Sequence, residues 1–326
     1  MRWIHESIDK GHRLAGLIAI AVVLALGATI GVVVVAGPGA VAHRLVNLRW
    51  EWLAVALGAE VAAYIGYVVA YRAVACAERG AELRLPHAAA LVATGFGVFV
   101  LAGGFVLDEQ ALRRSGLTAR EARERVLGLG ALEYVVLAPA AAVAAGVALA
   151  RDGLSLGLTL PWLVGVPVGF ALAFAGVRHR SAFADGRGWR ASVDHALSAL
   201  ALIARMARRP GVSWTAFAGI GLYWVGDVAC LWAALHVFFA NTPPLAHLVL
   251  GYATGYALTR RTLPLGGAGV VEALLPFALA WVGIQLAPAL LAVVAYRVVN
   301  LWLPIVPALA GLPTLRRLRR AGPARA

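Results

Sequence analysis

The sequence predicts an all-α polytopic integral membrane protein of about eight membrane segments, built as two inverted repeats that each carry a Gly-broken re-entrant hairpin. Three observations predict it. Apolar residues make up 61% of the 326-residue chain and charged residues 14%, against about 25% charge in a soluble domain. Basic residues gather in a few connecting segments instead of spreading along the chain. And one short pattern occurs twice: Gly103-Gly104-Phe105-Val106-Leu107-Asp108-Glu109 and Gly266-Gly267-Ala268-Gly269-Val270-Val271-Glu272 both read Gly-Gly, four residues, Glu, offset by half the chain. A duplicated, Gly-broken segment with a carboxylate in apolar surroundings points to a transporter-type binding site. Gly-Gly pairs also recur by chance in apolar helices, and that alternative stays open.

Taken in order, continuous spans of the ~20 apolar residues that a bilayer requires fall at 14–36, 50–71, 126–150, 156–177, 214–239 and 287–308. The first is too long for the ~7–15-residue apolar core of a cleaved signal peptide and is read as a transmembrane helix. Two further stretches, 88–112 and 245–284, are interrupted by glycine and charge, and they hold the repeated pattern. This divides the chain into an N-terminal membrane repeat (1–177), a basic connector (178–212), a C-terminal membrane repeat (213–312) and a basic tail (313–326). Residues 190–209 place Val193, Leu197, Leu200 and Ala204 on one helical face with arginines at both ends. They form either an interfacial helix on anionic lipid or a linker helix packed on the bundle.

The net charge of +13 rests almost wholly on arginine, with Lys10 the single lysine. In so apolar a chain it reports topology and contact with anionic headgroups, and no nucleic-acid partner is expected. The positive-inside pattern puts the N-terminus, the 72–84 and 113–125 loops, the 178–209 connector and the tail on the cytoplasmic side of a bacterial inner membrane. Arg44, Arg49 and Arg151 fall outside. Segment 88–112 must then enter and leave from the cytoplasm, and 245–284 from the opposite side. The competing reading makes 245–261 and 262–284 two full spans.

Chemistry concentrates after Arg260-Arg261. Thr262-Leu263-Pro264-Leu265-Gly266-Gly267-Ala268-Gly269 separates the two arginines from a helix-forming run. A helix starting near Gly269 would aim backbone N–H groups at an anion, and a guanidinium adds bidentate phosphate recognition. Alternatively the arginine pair only marks a cytoplasmic helix end. Glu272, Arg297, Asp227, Glu60 and Glu133 all fall within or beside apolar stretches, where an unpaired charge costs roughly 2.5–3.5 kcal/mol. Arg297 and Asn300 share a helix face at i, i+3, as Tyr296 with Asn300 and Tyr223 with Asp227 do at i, i+4. These residues form either a polar pathway or structural pairs between helices. Glu109 and Arg113 are the counterparts in the first repeat.

No His-Glu-x-x-His, paired-Cys, Walker or Gly-x-Ser-x-Gly motif occurs, so no metal or other cofactor is expected. Cys76 and Cys230 are read as buried small hydrophobes. The histidines, His236 among them, are given packing or interface roles, and Trp50, Trp52, Trp214 and Trp302 aromatic-belt roles.

At these residues the chain resembles a known family. Arg261-x-x-Pro264-x-Gly-Gly-x-Gly-Val-Val-Glu272-Ala, followed by Ala295-Tyr296-Arg297-x-x-Asn300-x-Trp302-x-Pro304, looks like the signature of the lysylphosphatidylglycerol synthase transmembrane region. Ala102-Gly103-Gly104 through Glu109, followed by Arg113, looks like that family's N-terminal Gly-Gly motif. The chain departs at Ala102 and Leu265, where the family often has Pro. The resemblance covers residues 10–312 and implies a stand-alone, flippase-like module without the fused aminoacyl-transferase domain. Translocation of an anionic or aminoacylated lipid between leaflets is then the expected activity, with a phospholipid or other lipid-linked anion as partner. In that scheme Arg260 or Arg261 and the Gly266, Gly267 and Gly269 turn hold the phosphate. Glu272, Asp227, Arg297 and Asn300 line the polar path. The rivals are a membrane transferase acting on a lipid-linked substrate, with Asp108-Glu109 as its close acidic pair, and an accessory subunit that scaffolds a protein partner.

Overall fold

The computed structural model describes residues 2–46, 48–95, 105–183, 188–209, 211, 213–238, 243–257 and 267–304. Among the described residues all regular structure is helical: α1 Arg2–Ala36, α2 Pro38–Arg44, α3 Glu51–Cys76, α4 Leu85–Thr94, α5 Phe105–Arg114, α6 Ala119–Asp152, α7 Leu156–Arg178, α8 Trp189–Arg208, α9 Trp214–Phe238, α10 Leu245–Tyr252, α11 Val270–Trp281 and α12 Leu286–Arg297. Two of them run on into a single π-helical turn, Ala253–Ala257 after α10 and Val298–Trp302 after α12.

Among the described residues five helices are long and apolar enough to cross a membrane: Gly16–Ala36 of α1, α3, α6, α7 and α9. The protein is multi-pass. The first five predicted spans lie on these helices. The sixth, 287–308, falls on α12 and its π turn, Leu286–Trp302, which is shorter. Of the two glycine-interrupted stretches, α4 and α5 are the described helices of the first and α10 and α11 those of the second, and the residues between each pair, 96–104 and 258–266, lie outside the described residues. With 12 residues, α11 is about 18 Å long, little more than half of a ~30 Å hydrocarbon core.

Local sequence explains the element ends. α6 starts on a capping box: the Glu121 N–H donates to Thr118 Oγ1 at 3.3 Å and the Thr118 N–H donates to the Glu121 carboxylate at 2.8 Å. It stops at Gly153, whose φ of 62° closes the last turn. α3 ends in a turn where Glu78 and Arg79 are left-handed, φ 54° and 59°, an uncommon state for residues with a Cβ. Two arginines hold it. The buried Arg125 guanidinium donates to the carbonyls of Ala75 (3.2 Å) and Ala77 (2.8 Å), satisfying acceptors that the helix end leaves open. Arg205 grips the Glu78 carboxylate with Nε and Nη2, and that hydrogen bond holds the Glu78 pKa below the usual carboxylate value.

The described residues form two compact units, each drawing on both halves of the sequence: the chain up to 60 with the chain from 227 onward, and residues 61–92 with 105–226. In the first unit α1 packs on α11 and α12, and α2 packs on α12. Val32, Val41, Ala287 and Leu290 form one cluster there. In the second, α6 is the centre, touching α5, α7 and α8. α8 buries Asp194, Leu197, Ser198, Leu202 and Met206, with Asp194 paired to Arg120 at 3.1 Å. Its buried face is thus turned from the predicted one, leaving Leu200 and Ala204 only half-buried, because the helix packs against α6. α3 and α9 meet in each unit. In the first, the Arg49 N–H just before α3 donates to Val237 near the end of α9, and Trp52 contacts Trp232 and His236. In the second, Gly66, later in α3, touches Gly219, near the start of α9. The two helices pair antiparallel.

Candidate functional site

α9, α10, α12 and the first part of α3 bring a polar cluster together inside the first unit. Asp227, on α9 and fully buried, accepts three hydrogen bonds: from Tyr252 Oη at the end of α10 (2.5 Å), from Tyr296 Oη on α12 (2.8 Å) and from Asn300 Nδ2 in the π turn beyond it (2.9 Å). Asn300 Nδ2 also donates to Glu60 Oε1 of α3 at 3.1 Å, while its Oδ1 accepts from Tyr256 Oη at 2.9 Å. The amide therefore uses both N–H groups on carboxylates and its oxygen on a phenol. The opposite orientation would set its oxygen against two carboxylates. Cys230, also buried, lies against Glu60.

Both π turns meet here. Tyr256 belongs to the first and Asn300 to the second, and they bond to each other. A π turn rotates the residues that follow it relative to an α-helix and recurs at functional sites. The first is tight because Gly255 touches α11: a Cβ there would come 2.7 Å from Leu275 Cα and 2.9 Å from Ala278 Cβ.

A second buried pair adjoins on α11 and α12. Arg297 Nε donates to Glu272 Oε1 at 2.7 Å, with both side chains almost fully buried. Glu272 Oε2 accepts the Gly269 N–H, also at 2.7 Å. The anion at the start of α11 is thus the chain's own carboxylate, and the Gly269 N–H expected to face a ligand is occupied by it. The glycines answer to backbone geometry. Gly267 and Gly269 have φ of 69° and 84°, and a Cβ on Gly269 would press on Leu24 of α1 at 3.0 Å.

Of the residues singled out from the sequence, Asp227 and Asn300 come together, as do Glu272 and Arg297. Arg260, Arg261 and Gly266 lie outside the described residues. Glu109 and Arg113 belong to the second unit: Glu109 accepts from Arg123 at 3.2 Å, and Arg113 is exposed. Asp108, beside Glu109, accepts from Tyr71 at 3.3 Å. Glu133 is buried on α6. Trp50 and Trp214 are exposed. Trp52 instead stacks on His236, ring centroids 4.2 Å apart, which gives His236 the packing role expected of it. Tyr252 and Tyr256 were not singled out, although their i, i+4 spacing in a Gly-rich apolar stretch was a readable signal.

A helical, multi-pass chain with this many buried polar side chains among its apolar helices is an integral membrane protein. The chain belongs to the family of the lysylphosphatidylglycerol synthase TM region, whose family model matches residues 17–308. The match covers the family's transmembrane region and fits a membrane lipid-related function. No curated protein matches the chain.

Proposed function

We propose that the protein moves an anionic or aminoacylated lipid between the leaflets of a bacterial inner membrane. The observation that carries this reading is the Asp227–Tyr252–Tyr296–Asn300–Glu60 cluster. It is a set of buried carboxylates and hydroxyls where two interrupted helices meet, beside the Glu272–Arg297 pair. Buried polar groups on half-length helices offer a lipid headgroup hydrogen-bonding partners at depth without exposing backbone to lipid. In this scheme Arg260 or Arg261 binds the phosphate, with Arg261 favoured because it stands in the family signature. Glu109 and Arg113 serve the first repeat.

The topology belongs to the same proposal: eight segments, re-entrant hairpins at 88–112 and 245–284, repeats at 1–177 and 213–312, and both termini cytoplasmic. The antiparallel pairing of α3 and α9 supports the inversion, since these helices occupy corresponding places in the two halves. The short α11 supports a hairpin. Reconstitution in vesicles with fluorescent phosphatidylglycerol and its lysyl ester, followed by dithionite or protease accessibility, tests the activity. Wild type should equilibrate at least one of the lipids. Asp227→Asn and Arg261→Ala should stop it at normal folded yield, and Arg261→Lys should restore it in part, because a point charge lacks the guanidinium fork. Unchanged transport by both variants would leave the arginines as topology markers and the cluster as a structural brace.

A further inference from the structure

Outside this cluster, in the second unit, the later halves of α7 and α8 enclose a groove of about 550 Å³. Phe170, Phe174 and Val177 of α7 line one wall, Leu200 and Ala204 of α8 the other, and Phe217 of α9 also lines it. Phe174 is 61% exposed and Phe170 40%. Four arginines, Arg178, Arg180, Arg205 and Arg208, line the same groove, and among the described residues no acidic one does. Arg205 is held by Glu78. Arg178, Arg180 and Arg208 are exposed and make no ion pair among the described residues.

We infer that this groove binds one anionic phospholipid, with an acyl chain between α7 and α8 and the phosphate on the arginines. Two features define the occupant. The walls are apolar and of a size that encloses a chain-like ligand. Among the described residues the polar lining is cationic, so the ligand needs an apolar body and an anionic head. The chain's own tail at 313–326 fits poorly, because its charged residues are all arginines and would meet like charge. α8 can present such a wall because it packs on α6, with Ala199 and Leu202 against Gly128, which leaves another face for the lipid. This site shares no residue with the proposed translocation path, so either can fail without the other.

The test uses the full chain in nanodiscs of phosphatidylcholine with or without phosphatidylglycerol, then lipid retained after detergent exchange, counted by native mass spectrometry. Wild type should keep one phosphatidylglycerol and no phosphatidylcholine. Arg178→Gln, Arg180→Gln and Arg208→Gln should each weaken retention about fivefold, the share of one basic residue near an anionic surface, with the loss growing as salt rises. Ala204→Phe fills the groove without touching the charge and should also abolish retention, while the thermal midpoint in detergent reports that the fold is intact. Retention that survives Ala204→Phe but not the arginine changes would mean a diffuse surface effect and would overturn the groove. So would retention unaffected by all four variants, or a groove found to be covered by a second copy of the chain in cross-linking.

Discussion

At the scale of single residues, charge inside this protein is balanced by geometry. Arg297 and Glu272 are both almost fully buried, and removing one partner leaves the other uncompensated. Arg297→Met should therefore destabilise the protein by about 3–5 kcal/mol, read as a fall in the thermal midpoint in detergent by tryptophan fluorescence. Combining it with Glu272→Gln should recover much of the loss, because both charges are then gone. A double variant no better than the single would show that Glu272 matters through the Gly269 N–H rather than through Arg297. The sequence exposed these two residues plainly, since ionisable side chains are rare in apolar runs. It did not show that Glu272 uses one oxygen on its own helix start, because that depends on the rotamer the packed chain selects.

At the scale of helices, small residues decide how closely backbones approach. A Cβ on Gly66 would lie 2.5 Å from the Gly219 carbonyl oxygen, and one on Gly219 would lie 2.6 Å from the Gly66 carbonyl oxygen and 2.8 Å from the Ala70 nitrogen. The contact is reciprocal and leaves no room for a methyl group, as in close membrane-helix crossings. Gly219→Ala should cost about 1–3 kcal/mol through overpacking. Gly221→Ala, two residues on and with nothing within 4 Å, should be neutral or stabilise by up to about 1 kcal/mol through helix propensity. Thermal midpoints of the two variants, side by side, check the contrast; equal effects would mean that the helices slide apart cheaply. Neither glycine stood out among the 36 in the chain. A glycine in an apolar helix carries no mark of whether a neighbour will press against it.

At the scale of the whole molecule, the arginine distribution predicts which loops face which side. In a background lacking Cys76 and Cys230, single cysteines near Arg151 and Asn241 should react with an impermeant reagent added to intact cells. Those near Arg120 and Arg187 should react only after permeabilisation. Labelling near Arg120 from outside would remove the first hairpin and with it the inverted arrangement. Arg120 itself is paired to Asp194 and Glu124, so a basic residue of this loop also helps hold α8 in place.

What the sequence by itself determined is the part that the membrane dictates: a helical, multi-pass chain, the long apolar helices α1, α3, α6, α7 and α9, and a helix start at Gly269. Lipid imposes these through composition and length alone, since every backbone group must be satisfied within its own segment. Only the tertiary structure decided which polar groups meet. Asn300 joins Glu60 from 240 residues away, and two π turns, invisible in residue type, rotate Tyr256 and Asn300 onto each other. Such partners are chosen by packing between distant segments, where no local periodicity records the outcome.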